Sequence, residues 1–299
     1  MSRAKNERSH LKTSIDWSVD RILRGMIRTI QTLPYERRVV AMGKIVSNGI
    51  GPIAGYRRRA FENLGYIYPQ MSATEKTRIA ASVCDNFGRT LIENYSYKDF
   101  ANKLSKTQPQ GAGMKMVMDA QKSGQPIVFV TGHIGNHEAP RQVLTRLGLT
   151  IGGLYRPMSN SFFDDHYAKT MTSWGGPVFA QGTQTRGFAR HIRGGGMGTL
   201  LTDVSFAKGE QIDFLGKPAR TATSAADIAL KFDALLVPYY GIRQPDGLSF
   251  DITVEAPIPH TNAIKMTAAA TNSLAAKVTA HPEQWFWVHK RWKQKSPAK

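Results

Sequence analysis

The chain has 299 residues, enough for one large domain or two smaller ones around a sizeable core. Hydrophobic residues make up 41% and charged residues 21%, which is ordinary for a globular protein and excludes wholesale disorder. Its 40 Lys and Arg against 22 Asp and Glu leave a net charge of +18, which implies an acidic partner: nucleic acid, an anionic membrane face, or an acidic protein or substrate. The surplus sits at the two ends. Residues 1–70 carry 13 basic and 5 acidic side chains, and residues 284–299 carry 5 basic and no acidic ones. Basic ends around a balanced middle fit docking to a surface better than a nucleic-acid groove. No helix-turn-helix, RNP or OB-type pattern supports a nucleic-acid-binding protein, the rival reading of another class. The single cysteine, Cys84, reads as a small buried side chain and excludes both a disulfide framework and a cysteine-based zinc site.

Along the chain, residues 1–16 read as a basic, flexible N-terminus with no apolar core of a signal peptide. The next segment, WSVDRILRGMIRTIQTL (17–33), places Val19, Ile22, Leu23, Met26, Ile27, Ile30 and Leu33 on one helical face, with Asp20, Arg21, Arg24 and Arg28 mostly opposite. Such a helix either lies in a membrane interface, its arginines meeting lipid phosphates, or packs its stripe on the core. No run of about 18–20 uncharged apolar residues follows, so a bilayer-spanning helix is not expected and the chain reads as cytosol-side. Residues 17–100 read as helical, interrupted at Pro34 and at GIGPIAGY (49–56), with a capping box at Ser72 and Glu75. Residues 101–113 read as a linker.

From about residue 114 the pattern alternates between short apolar strands and helices. PIVFVTG, LTIGGLYRP and MGTLLTDVS read as strands, and LLVPYYGIRQPDGLSFDITVEAPI reads as an antiparallel strand pair. The expected fold class is therefore α/β: a mixed, largely parallel sheet flanked by helices, with a helical N-terminal region. Ligands gather at the carboxyl ends of strands in such sheets, and TGHIGNHE (131–138) lies at one of them. His133 and His137 have the i, i+4 spacing of two metal ligands, but the intervening Ile-Gly-Asn is poor in helix propensity and no third ligand is evident. Alternatively, Glu138 orients His133 as a general base, provided the chain turns at Gly132 or Gly135 and enters a helix near Asn136. An ordinary histidine-bearing turn is the third reading, and spacing alone does not separate the three.

GHIGNHE resembles the H-x-x-x-x-(D/E) motif of glycerolipid-type acyltransferases. More closely, it resembles the form found in the bacterial lipid A biosynthesis (late, Kdo-dependent) acyltransferases. RAFENLGYIYPQMSATEK (59–76), GLYRPMSN (153–160), LTDVSFAKGEQIDFLGKPARTAT (201–223) and HPEQWFWVHKRWK (281–293) resemble other segments of that family, in the same order, over residues 17–293.

The resemblance implies one integrated protein with its catalytic region at 101–299. Its reaction would move a fatty acyl chain from acyl carrier protein, or acyl-CoA, to a hydroxyl of a phosphorylated lipid A precursor. No metal, cofactor or acyl-enzyme is implied. His133 would be the base and Glu138 its orienting partner. Arg156 and Asn160 would hold phosphate or the developing oxyanion, and Asp203 would orient Arg156 or a donor group. Gly216 and Thr221 shape a loop. An acyltransferase of the same fold acting on a phosphatidylinositol mannoside or an aminolipid is the runner-up.

The implied partners, an acidic carrier protein and an anionic membrane surface, agree with the charge. The expected location is the cytoplasmic face of the bacterial inner membrane, peripherally attached. Trp285, Phe286 and Trp287 beside Lys290, Arg291 and Lys293 suit either that interface or a final core strand. Two departures stand out: many relatives carry a bulky residue at the position of His137, and many have a hydrophobic N-terminal anchor where this chain is arginine-rich.

Overall fold

The computed structural model describes residues 2–292, with side chains from residue 12 onward, so Lys293 lies outside the described residues. Helix α1 (Ser2–Gln31) starts well ahead of the expected position at 17, so the first residues continue the helix rather than forming a flexible tail. The Lys, Arg, Glu and Leu content of that stretch favours helix. Pro34 then precedes α2 (Tyr35–Ile45), where its fixed φ suits a helix entry.

The apolar stripe on α1 divides. Ile27 and Ile30 are buried, whereas Ile15, Val19 and Ile22 are exposed, Ile22 by 70%. Spacings of four and three put those three on a single outer ridge. Asp20, expected on the solvent side, is instead fully buried and paired with Arg24 at 2.7 Å and Arg21 at 2.9 Å. Arg24 also donates to the Phe162 carbonyl at 2.7 Å, so one of the expected solvent-facing arginines fastens the helix to the protein.

GIGPIAGY begins inside a π-helical turn (Val46–Ile50) and continues through the single turn α3 (Gly51–Ile53) to the start of α4 (Tyr56–Ile67). Helix α5 (Ala73–Tyr95) opens as the capping box requires, with Ser72 Oγ accepting from the Glu75 amide at 3.1 Å. After α6 (Tyr97–Lys103), the stretch read as a linker contains the edge strand β1 (Pro109–Gln110), where a proline lacking N–H is tolerated.

Helix α7 (Met114–Ser123) leads into β2 (Ile127–Thr131), and α8 (Ala139–Arg146) into β3 (Ile151–Tyr155). Next come α9 (Ser161–Thr172), β4 (Val178–Ala180), α10 (Thr185–Arg193) and β5 (Met197–Leu201). A separate antiparallel hairpin, β6 (Glu210–Phe214) with β7 (Lys217–Thr221), precedes α11 (Ser224–Phe232), β8 (Leu235–Arg243), β9 (Phe250–Val254) and α12 (Ala263–Ala280). The main sheet has the order β1-β9-β8-β2-β5-β3-β4, parallel except at β8–β9. Every residue of β2 is buried, as expected for a central parallel strand covered on both faces. The fold is therefore the expected α/β class, a mostly parallel mixed sheet with a helical N-terminal region. No helix among the described residues is long and apolar enough to cross a membrane.

Candidate active site

Strands β2 and β5 are adjacent and parallel, with Thr131 opposite Leu201. Two residues beyond that register, His133 therefore meets Asp203. The Asp203 carboxylate accepts from the His133 backbone amide at 2.7 Å through Oδ2 and lies 2.8 Å from the imidazole Nδ1 through Oδ1. The indole N–H of Trp285 donates to Oδ2 at 2.8 Å, so three donors converge on one buried carboxylate. Burial alone would raise the Asp203 pKa. The neighbouring His133, as charge and hydrogen-bond donor, outweighs burial and holds it well below the ordinary carboxylate range. The His133 side chain keeps 30% of its surface exposed, with Nδ1 engaged and Nε2 left for a ligand.

The carboxylate behind the imidazole is thus that of Asp203, where Glu138 was expected. The reason lies in the turn between them. Gly135 has φ +54, and a Cβ there would lie 2.0 Å from the Gly241 carbonyl oxygen, so only glycine fits. The Gly135 carbonyl is held by Asn86 Nδ2 at 3.0 Å and Thr90 Oγ1 at 2.9 Å, both from α5.

Asn136, expected as a helix cap, closes the turn instead by accepting from the Glu138 amide at 3.0 Å. Its amide nitrogen donates to Glu93 Oε2 at 2.9 Å, and Glu93 is paired with Arg243 at 2.5 Å. This turn carries Glu138 to the start of α8, where the buried Arg141, one turn on, lies 3.3 Å away. Arg141 also donates to the Ile151 carbonyl at 2.8 Å, tying α8 to β3. His137 Nε2 lies 3.9 Å from Glu138 Oε1, beyond hydrogen-bond range.

Arg156 follows β3, two strands from β2 on the same carboxyl edge, and is exposed. Asn160, expected as a phosphate or oxyanion ligand, is engaged at both ends of its amide: Oδ1 accepts from the Phe163 amide at 3.2 Å and Nδ2 donates to the Asp16 carbonyl at 2.7 Å. It caps α9 and ties that helix to α1. Asp203 orients His133, not Arg156. The Ala219 and Thr221 side chains are buried on the β6–β7 hairpin, and Arg291 Nη2 donates to Thr221 Oγ1 at 2.6 Å.

At the site, His289 and the part of Trp285 as donor to Asp203 escaped the sequence reading. Trp285 and Trp287 are fully buried, so this aromatic segment belongs to the core, with Ile134 and Trp285 forming a β-bridge. His289 packs edge-on against His133, ring centroids 4.6 Å apart, and His137 lies 5.5 Å away on the same measure. Burial lowers the pKa of both His137 and His289 to about 4, His133 adding to the effect in each, so both are neutral at pH 7. Among the described residues, no group of three or more His, Cys, Asp or Glu side chains is arranged to hold a metal ion.

This makes stability pH-dependent with a definite sign. Between the ordinary histidine pKa near 6.5 and about 4, the unfolded chain binds protons that the folded chain refuses. Unfolding free energy should therefore fall as pH drops through that window, by roughly 1.4 kcal/mol per pH unit for each histidine. Urea titrations at pH 7 and pH 5 measure it, and His137→Asn should flatten the slope; equal stability at both pH values would contradict the burial-driven shifts.

A histidine with one nitrogen fixed by a buried carboxylate and the other presented at a strand end is a general-base arrangement. The comparisons with known proteins give the family. The family described as bacterial lipid A biosynthesis acyltransferase matches residues 1–294. The lipid A biosynthesis lauroyltransferase of Escherichia coli (strain K12) is 24% identical over 287 residues, covering 90% of this chain and 89% of that protein. The lipid A biosynthesis acyltransferase of Haemophilus influenzae is 21% identical over 235 residues, covering 78% and 74%. The lipid A biosynthesis acyltransferase 2 of Shigella flexneri is 21% identical over 278 residues, covering 89% and 87%. With that match spanning nearly the whole length, the chain belongs to the bacterial lipid A biosynthesis acyltransferase family.

Proposed function

We propose that the protein transfers a fatty acyl group from acyl carrier protein to a hydroxyl of a phosphorylated lipid A precursor, with His133 as general base. The observation that carries this reading is the contact of His133 Nδ1 with buried Asp203 at 2.8 Å. That contact fixes Nδ1 as the protonated nitrogen and leaves Nε2 to take a proton. As the acceptor oxygen attacks the thioester carbonyl, its proton passes to Nε2. The C–O bond forms, the C–S bond breaks, and the imidazolium returns the proton to the departing thiolate. No acyl-enzyme or cofactor is needed. Glu138 acts through its ion pair with Arg141, holding the turn that carries His133 and His137. Arg156, exposed on the same carboxyl edge, meets a phosphate of the acceptor. A net charge of +18 favours both an acidic carrier protein and a phosphorylated lipid.

The test is acylation with purified protein, acyl carrier protein thioester and lipid A precursor, read by mass spectrometry of lipid and protein. A lipid gain of one acyl mass with no acylated protein is expected. Turnover with acyl-CoA alone would replace the donor. Acylation of another membrane lipid in place of the precursor would replace the acceptor.

The same reading sets the protein on the cytoplasmic face of the inner membrane, peripherally, through the exposed ridge of α1. Trp17, 51% exposed, and Ile22 extend outward there, and Arg21 lies over the Trp17 ring at 5.6 Å. Trp17→Ser with Ile22→Ser should weaken flotation with anionic vesicles roughly tenfold or more, given the apolar area removed. Unchanged flotation would remove α1 as the contact.

A further inference from the structure

A cleft of about 310 Å³ lies between α1 and α9 and is lined by Ile27, Arg28, Tyr95, Tyr97, His166 and Lys169 among others. None of the residues assigned to acyl transfer lines it. Its volume is at the lower end of small-molecule sites. Its chemistry is lopsided: two cations, aromatic walls and no acidic side chain on the lining. Arg28 and Lys169 are both exposed, and neither forms an ion pair among the described residues.

Asp20, whose charge acts on His166, is already engaged by Arg21 and Arg24. His166 registers the resulting field from within. Burial lowers its pKa, and the charges of Arg24, Arg28 and Lys169 lower it further against the opposing effect of Asp20. Unneutralised cations converging on a concave surface focus a positive potential there.

We propose that this cleft binds the phosphate ester of a lipid headgroup, with Arg28 and Lys169 as the anion's ligands and Tyr97 beside them against the headgroup. Guanidinium and ammonium groups donate charge-assisted hydrogen bonds to phosphate oxygens. The apolar ridge of Ile15, Val19 and Ile22 lies on another side of α1 from Arg28, so the cleft recognises the anion by its two cations and not by continuity with the ridge. The phosphate has two possible sources: a phospholipid of the bilayer, or the phosphorylated acceptor. The second source rests on the function proposed above; the site itself does not.

The experiment follows the His166 ring by NMR in histidine-labelled full-length protein, with glucose 1-phosphate, glucose, and vesicles of phosphatidylglycerol or phosphatidylcholine as probes. Saturable His166 shifts are expected with at least one phosphate probe carrying net negative charge, and none with glucose or phosphatidylcholine. Arg28→Gln with Lys169→Gln should weaken that binding roughly tenfold or more, as expected for lost hydrogen bonds to a charged group. A response to glucose 1-phosphate indicates a phosphorylated sugar, and a response to phosphatidylglycerol alone indicates the bilayer. Either supports the phosphate site. No saturable response to either probe, or one unchanged in the double variant, overturns it. The readout is binding, so failure of acyl transfer leaves the result interpretable.

Discussion

Replacing His133 by alanine is expected to lower acyl transfer roughly 10²–10⁴-fold, the usual cost of removing a general base. The fold should persist. The side chain is 30% exposed, and the backbone contacts that hold its turn, the His133 amide to Asp203 at 2.7 Å and the Phe286 amide to the His133 carbonyl at 2.9 Å, survive the substitution. Steady-state rates with the purified variant, together with circular dichroism, check both parts. Near-wild-type turnover in a folded His133→Ala protein would remove the base from the mechanism.

The second large effect separates two carboxylates. Asp203→Asn keeps the shape but removes the charge that complements an imidazolium and allows the wrong tautomer, so a rate loss of roughly 10²–10⁴-fold is expected. Glu138→Gln acts differently. Arg141 is fully buried, and neutralising its partner leaves a buried charge uncompensated, at a cost of roughly 3–5 kcal/mol of stability. Activity should fall with it, through displacement of the turn. Paired measurement of thermal midpoint and rate distinguishes the two roles. If Glu138→Gln abolished turnover at wild-type stability while Asp203→Asn remained active, the carboxylate assignment would be reversed.

The alternation of apolar strands and helices made the sheet legible, because β2, β3, β5 and the β8–β9 pair are apolar runs bounded by turn residues. His133 was legible from its position after such a run. Its partner was not: Asp203 lies 70 residues away, and the two meet only because the chain leaves β2, builds β3 and β4, and returns with β5 alongside β2. Local spacing instead drew attention to Glu138, which the Gly135 turn directs elsewhere.

The β6–β7 hairpin was hidden for a different reason. Its turn is Leu215-Gly216, with φ of 57° and 75°, a left-handed pair usually signalled by Asn-Gly or Asp-Gly. The division of α1 into a buried and an exposed stretch depends on where α9 lies, which no helical period contains. Family resemblance supplied the importance of the C-terminal segment, whereas only the structure gives the physical cause: its aromatic rings fill the core beneath the site.

The indole of Trp285 on the Asp203 carboxylate also has a temporal meaning. On the ribosome, His133 and Asp203 emerge well before residue 285, so a nascent chain already carries both residues but lacks the indole that donates to the carboxylate. The final stretch of synthesis therefore delivers the last hydrogen bond to that carboxylate. Termination just upstream of Trp285 would cost the chain the indole donor on Asp203 together with the core rings of Trp285, Trp287 and Trp292.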